Sequence, residues 1–297
     1  MNGESNLTKQ SFQPVADPKS LISILEERHP QSCFFYNQVV SHDRFKDDIT
    51  FYTIGTKLDE NTWILSNYTR EDYGSNISIS APRAIVEGKE QIPLEVKECF
   101  SSSNLVNWDG RVLFAALEKR GFPTMILRNA GNVKGNITEI HPCILYYIER
   151  ENALKIEISP GPDVSELRRL LPDKETEFIL STWKYTNEGS RSVIRNCIAA
   201  NASAGVFVDG KCVSGVITPG VGLISALYTL KDYRGKGFAK LTMKYAYKEF
   251  AMDGCIPCST VEVRNERSIG FHQSLGVNVS SIVDWIDMRA HLADWVL

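Results

Sequence analysis

Apolar residues at Leu21, Ile24 and Leu25 follow an Asp17-Pro18 start, and that spacing predicts one short amphipathic helix ending before His29-Pro30. From Cys33 to Ser66 the runs CFFYNQVV, TFYTIG and NTWILS read as strands, separated by polar turns such as Leu58-Asp59-Glu60-Asn61. Arg111 to Arg120 reads as a helix closed by Gly121 with Pro123 beyond it, and strands are expected at Thr124 to Leu127 and Cys143 to Ile148. Ser159-Pro160-Gly161-Pro162 can continue neither element, so it divides the chain into residues 1–160 and 161–297. Beyond it come helices at Lys174 to Trp183 and Arg191 to Ala199, capped by Asp173 and Ser190. Strands follow at Gly205 to Val208 and Cys212 to Ile217, joined by the hairpin dipeptide Asp209-Gly210. A strand ending at Leu230 precedes a helix that carries Phe238, Leu241, Tyr245 and Met252 on one face and stops at Gly254. A strand at Ser259 to Val263 and a helix at Ser268 to Leu275 complete this half.

A chain of 297 residues, 43% of them apolar, is long enough for two sizeable cores. Its net charge of -3 argues against a nucleic-acid partner, because phosphate-backbone affinity rests on Lys and Arg. No apolar run is long enough to span a bilayer, and the first twenty residues lack both an apolar segment and an Arg-rich amphipathic pattern. A soluble cytoplasmic protein without a membrane partner is expected. Seven cysteines, an odd number, suit a reducing compartment. Cys255 and Cys258 form a single C-x-x-C around Pro257, without a second pair or clustered histidines, so no metal is expected.

The chemistry concentrates at Leu223 to Ala239, LISALYTLKDYRGKGFA, which reads as strand, turn and helix start. Gly235 and Gly237 let backbone approach a ligand, and the first turn of the helix offers N–H groups under a positive dipole. A pyrophosphate suits that place. The string needed for a nucleoside-triphosphate loop is absent, and Lys240 stands where a dinucleotide fingerprint needs its third Gly. Arg234-x-x-Gly237-x-Ala239 instead resembles the coenzyme A loop of the GNAT N-acyltransferase superfamily. Downstream, Asn265, Ser268, Phe271, His272, Leu275 and Gly276 resemble that superfamily's second motif, with Ser for its Ala, His for the frequent Tyr, and Val277 for its final Phe.

The match narrows upstream. Trp183-Lys184-Tyr185, Ser190-Arg191-Ser192 and Ile194-Arg195-Asn196-Cys197-Ile198 are similar to a segment of the glycine N-acyltransferase family, as is Thr229 to Gly237. Leu105 to Trp108 and Ile144 to Tyr147 look like landmarks of its N-terminal half. The resemblance implies an α/β (α+β) chain, with a catalytic GNAT fold around a central mixed, splayed sheet behind a degenerate GNAT-like half. It also implies acyl transfer from acyl-coenzyme A, as co-substrate, to a small amine or a glycine-like amino acid by direct attack; within this family a mitochondrial location is the alternative to the cytoplasm. Tyr228, Thr229 and Leu230 would meet the pantetheine arm. Arg234, Gly235, Lys236, Gly237, Phe238 and Ala239 would hold the pyrophosphate, with Asn265 and Ser268 alongside. His272 stands at the position of the acid, and the alternative for it is packing on its own helix. At the place of the family's basic Glu stands Leu223, with Ser225, Asp209 and Glu262 the polar side chains left nearby. Two alternatives to the transferase reading therefore stay open: a silent acyl-coenzyme A binder, and an N-acetyltransferase of another amine or of a peptide.

Overall fold

The structure, a computed structural model, describes residues 12–55, 57–70, 74–102, 110–119, 122, 124–126, 135–187 and 189–290. Leu105 to Trp108, Arg120, Gly121, Pro123 and Leu127 lie outside the described residues. After the short strand β1 (Phe12–Pro14), Asp17 accepts the Lys19 N–H at 3.1 Å and opens a helical turn with Pro18 at its first position. Helix α1 (Ile22–Glu27) then buries Ile24 and Leu25, as their spacing predicts. The run Cys33–Val40 departs from expectation, forming a helix, α2. Cys33, Phe34, Phe35, Asn37, Gln38 and Val39 are all buried, so the run lacks the polar face that distinguishes a helix from a buried strand.

Strands β2 (Ile49–Ile54), β3 (Ile64–Arg70) and β4 (Gly74–Ser80) form an antiparallel meander, followed by helices α3 (Arg83–Val86) and α4 (Leu94–Ser102). Residues expected as a helix from Arg111 are instead strand β5 (Arg111–Glu118). It runs parallel to β4 and antiparallel to the last strand, β12 (Asn278–Ala290). A strand with neighbours on both edges and cover on both faces buries consecutive residues, here Phe114 to Leu117, and so loses the alternation that marks strands. Residues 124–126 are helical where a strand was expected. The strand expected at Cys143 to Ile148 is the end of the longer β6 (Gly135–Tyr147).

The C-terminal half continues through α5 (Arg150–Leu154), β7 (Glu166–Arg168), α6 (Pro172–Thr182), α7 (Ser190–Ala200), β8 (Ser203–Val208), β9 (Lys211–Ile217) and β10 (Ser225–Thr229). Helix α8 (Phe238–Met252), strand β11 (Cys258–Glu262) and helix α9 (Glu266–Ser274) precede β12. The hairpin at Asp209-Gly210 forms with both residues at positive φ, 50° and 77°. Asp173 does not cap α6; Glu175 Oε2 takes the Leu171 N–H at 2.6 Å, and Asp173 pairs with Arg195. Nor does Ser190 cap α7, since it is the first helical residue behind Gly189. The buried face of α8 is Phe238, Thr242, Met243, Ala246, Tyr247, Phe250 and Ala251, which leaves Met252 60% exposed.

One sheet has eight strands in the order β1-β2-β3-β4-β5-β12-β6-β11, and the other four in the order β10-β9-β8-β7. Strands β6 and β12, one from each half, lie side by side between β5 and β11. The eight-stranded sheet therefore takes strands from both halves, the four-stranded sheet from the second alone, and the seam between the halves is a hydrogen-bonded ladder.

Candidate active site

Strands β10 and β11 sit at the edges of different sheets. The Ile224 N–H donates to the Cys258 carbonyl at 2.8 Å, and beyond that bond the two share no ladder among the described residues. An edge with unpaired peptide groups accepts a further extended chain. On its other side β10 pairs Ser225 with Ile217 and Tyr228 with Gly215, a register shift that leaves Ala226 bulged at φ 61°. The Leu230 N–H is already spent on the Val213 carbonyl at 2.9 Å. Of the three residues assigned to the pantetheine, ladder alternation therefore turns Thr229 toward the gap. The Thr229 carbonyl accepts from Arg234 Nε at 3.0 Å, so that arginine braces the loop as well as charging it.

Past β10 the chain makes a helical turn at Lys231–Tyr233, and Gly235 and Gly237 follow at φ 80° and 81°. A Cβ built on either glycine would meet nothing within 4 Å, so glycine is needed there for backbone conformation and not for room. Gly237 caps α8 without a side-chain bond, and the first helical bond runs from the Leu241 N–H to the Gly237 carbonyl. The N–H groups of Phe238, Ala239 and Lys240 thus have no intrahelical partner. Lys231, Arg234 and Lys236 precede them in the same loop, so free N–H groups and positive charge are concentrated in one short segment. Inside, Thr242 Oγ1 donates to Ser214 Oγ, which also bonds Thr229 Oγ1, each at 2.8 Å, tying α8 to β9 and β10.

Asn265 caps α9 by accepting the Ser268 N–H at 3.1 Å, and both residues line a cavity of about 300 Å³ that also reaches Ile224, Ser225 and Ala226. His272 is not on that wall. It is 5% exposed, stacks on Tyr146 with ring centroids 5.0 Å apart, and faces the Ser268 carbonyl through Nδ1 at 2.8 Å and Ser259 Oγ through Nε2 at 3.1 Å. Burial lowers its pKa. The side chain expected as the catalytic acid thus has both ring nitrogens within hydrogen-bond distance of protein oxygens and its ring against Tyr146, the arrangement of the packing alternative. Leu223, at the place of the family's base, is 0% exposed and packs with Val221 and Cys258 in the core under α2.

Residues from both parts of the chain line the cavity, the first part through β4, β5 and β6 and the second through β12 among others. Asn76, Arg111, Leu113, Glu139, His141, Cys143, Trp285 and Asp287 face it from β4, β5, β6 and β12. Lys184 and Tyr185 cross its other side and both bond Glu262 Oε1, at 2.6 and 2.5 Å. Those bonds, Lys184 first, hold the Glu262 carboxyl below its ordinary range, while burial and the same carboxylate push the Tyr185 hydroxyl up to about 12. Arg111 is bidentate on Asp287. Burial pushes the Cys143 thiol up to about 12. Two buried polar atoms, Asn76 Oδ1 and Trp285 Nε1, have no protein partner among the described residues. The sequence reading missed Glu139, His141 and Asp287; the i, i+2 spacing of Glu139, His141 and Cys143 in a strand was the signal available.

Residues 166–277 match a protein family described as the Acetyltransferase (GNAT) family. No curated protein matches the chain. Among solved structures, a Drosophila protein determined by a structural genomics consortium superposes with TM-score 0.80 and 16% identity, over 95% of this chain and 99% of that one. A tandem GNAT protein from the clavulanic acid biosynthesis pathway gives TM-score 0.53 and 10% identity, over 93% and 98%. A GCN5-related N-acetyltransferase from Kribbella flavida gives 0.51 and 15%, over 78% and 89%. The architecture is the GNAT fold, α/β with a mixed splayed sheet.

Proposed function

We propose that this protein transfers an acyl group from acyl-coenzyme A to the amine of a small polar acceptor, with a glycine-like amino acid the first candidate. The reading rests chiefly on the open β10–β11 gap, which runs directly into a loop with two left-handed glycines and three uncommitted N–H groups. The pantetheine would lie along Thr229 as an added strand, and its pyrophosphate would lie on Gly235 to Ala239 beside Arg234 and Lys236. A peptide N–H at the Ala226 bulge would polarise the thioester carbonyl. The acceptor would enter the cavity between the halves, where Asn76 Oδ1 and Trp285 Nε1 offer one acceptor and one donor to a polar ligand. We also read residues 1–160 and 161–297 as two GNAT-like halves, supported by a meander followed by a returning strand in each.

Leu223 supports the second reading, a binder without turnover, because an acid is missing where the family has one. Mass-spectrometric product detection separates the two. The pure chain is incubated with acetyl-, benzoyl- and long-chain acyl-coenzyme A and a pool of amino acids and amines. Under the transferase reading a new amide forms and disappears in Gly237→Asp. Binding of acyl-coenzyme A without any amide would favour the silent binder.

A further inference from the structure

With Leu223 sealed in the core, a base for the amine has to come from another element. Four side chains on the cavity wall combine basic lone pairs with access: Glu262, Asp287, Glu139 and His141. Glu262 is held by Lys184 and Tyr185, whose bonds keep its carboxylate charged and a weak proton acceptor, and both oxygens of Asp287 are occupied by the bidentate Arg111. The Tyr185 hydroxyl and the Cys143 thiol keep their protons. The remaining pair is on β6: His141 Nε2 lies 2.7 Å from Glu139 Oε2. A carboxylate beside Nε2 retains the proton there and leaves the Nδ1 lone pair as the acceptor, the division of labour used when an acid orients an imidazole base. His141 is 30% exposed at its side chain, which gives it the solvent and ligand access that His272 lacks.

We propose that His141, oriented by Glu139, is the general base of the reaction, supplied to the C-terminal acyl-coenzyme A site by the N-terminal half through the strand the two halves share. The inference rests on the transferase reading above. The balance is simple. The acceptor nitrogen bonds to the thioester carbonyl carbon, one N–H proton passes to His141 Nδ1, the carbon–sulfur bond breaks, and the leaving thiolate recovers a proton from the imidazolium through solvent. No oxidant or further reactant is needed. The charged groups that face His141 are Glu139 on the same strand and Glu262 on β11, the latter bonded by Lys184 and Tyr185. From β12, Trp285 pairs in register with His141 and Asp287 with Glu139, and Arg111 from β5 neutralises Asp287.

The test is steady-state acylation by the full chain, with acetyl-coenzyme A and the amine pool above, across pH. His141→Gln should lower kcat about a hundredfold with the KM for acetyl-coenzyme A unchanged, and should abolish the acid-side limb of the pH profile. Added imidazole should restore part of the rate to His141→Ala. Glu139→Gln, acting through His141, should lower kcat about tenfold and keep the limb. A thermal melt of each variant confirms that it folds. If the unmodified chain forms amide and His141→Gln keeps both its rate within about threefold and its acid-side limb, the proposal falls while the transferase reading stands. If the unmodified chain forms no amide, both fall.

Discussion

Strands β4 and β5 in the first half, and β10 and β11 in the second, hold the same place: the last strand of a meander and the strand that returns after a helical crossover. In the first half the pair is closed, with Ser75 to Ile77 laddered to Val112 to Phe114. The end of β4 is stopped as well, because Arg28 Nη1 donates to both the carbonyl and the hydroxyl of Ser80 at 3.1 Å, and Pro82 starts a helix of four residues. In the second half a single backbone bond joins the pair among the described residues, a bulge and two left-handed glycines follow, and the helix runs for fifteen residues. The same strand order leaves room for an added chain and an anion only where the ladder is left open and the next helix begins with exposed N–H groups. Under the proposed reading, one half would keep the cofactor edge while the closed pair of the other lines the cavity through Asn76, Arg111 and Leu113.

Removing the plug from the closed half should have the largest effect. The Arg28 guanidinium, 5% exposed, also bonds the Glu60 and Thr62 carbonyls, and burial lowers its pKa to about 10. Arg28→Met strands those acceptors and should cost about 3 kcal/mol in denaturant unfolding with acyl-coenzyme A affinity unchanged. An equal loss of affinity would show that the closed pair also supports the open one. Next comes the open half itself. Gly237→Asp places a carboxylate in the proposed anion-binding loop at φ 81°, and the calorimetric Kd for acyl-coenzyme A should rise about a hundredfold. Gly237→Asn, with the same shape and no charge, should lose only a few-fold. Equal losses in the two variants would assign the effect to backbone and not to phosphate charge.

The open half was the legible one. Arg234, Gly235, Gly237 and Asn265 announce themselves because loop conformation and helix capping are local properties, written within a few neighbouring residues. The acceptor cavity was much less legible. Glu139, His141, Trp285 and Asp287 reach it only because β6 and β12 pair across the two halves, a ladder between segments about 150 residues apart in the chain. For the same reason β5 was mistaken for a helix: its neighbours are distant in sequence, and burial on both faces erased its period. The burial of His272 is illegible for another reason. Its position in the motif was read correctly, yet its surroundings include Tyr146 from the shared strand, and no motif reports them.

The smallest expected effect concerns that histidine, and it tests whether the seam or the chemistry needs an imidazole there. Burial depresses the folded-state pKa of His272 below its ordinary 6.5, opposed by the bond to the Ser268 carbonyl. A histidine held neutral in the folded state is protonated first in the unfolded chain, so the unfolded state binds more protons as pH falls. Its contribution to stability is complete above pH 6.5 and is lost as pH falls from there through the folded value. The melting temperature should therefore decline as pH falls below 6.5. His272→Gln should flatten that slope, because Gln keeps a hydrogen-bonding end and does not titrate. Turnover at neutral pH should stay within about twofold, since a group buried against Tyr146 and Ser259 does not meet the substrate. A tenfold fall in turnover with an unchanged pH–stability slope would return His272 to the mechanism. It would also place the acid of the open half on α9, where the motif has it, and leave the shared strand a structural seam alone.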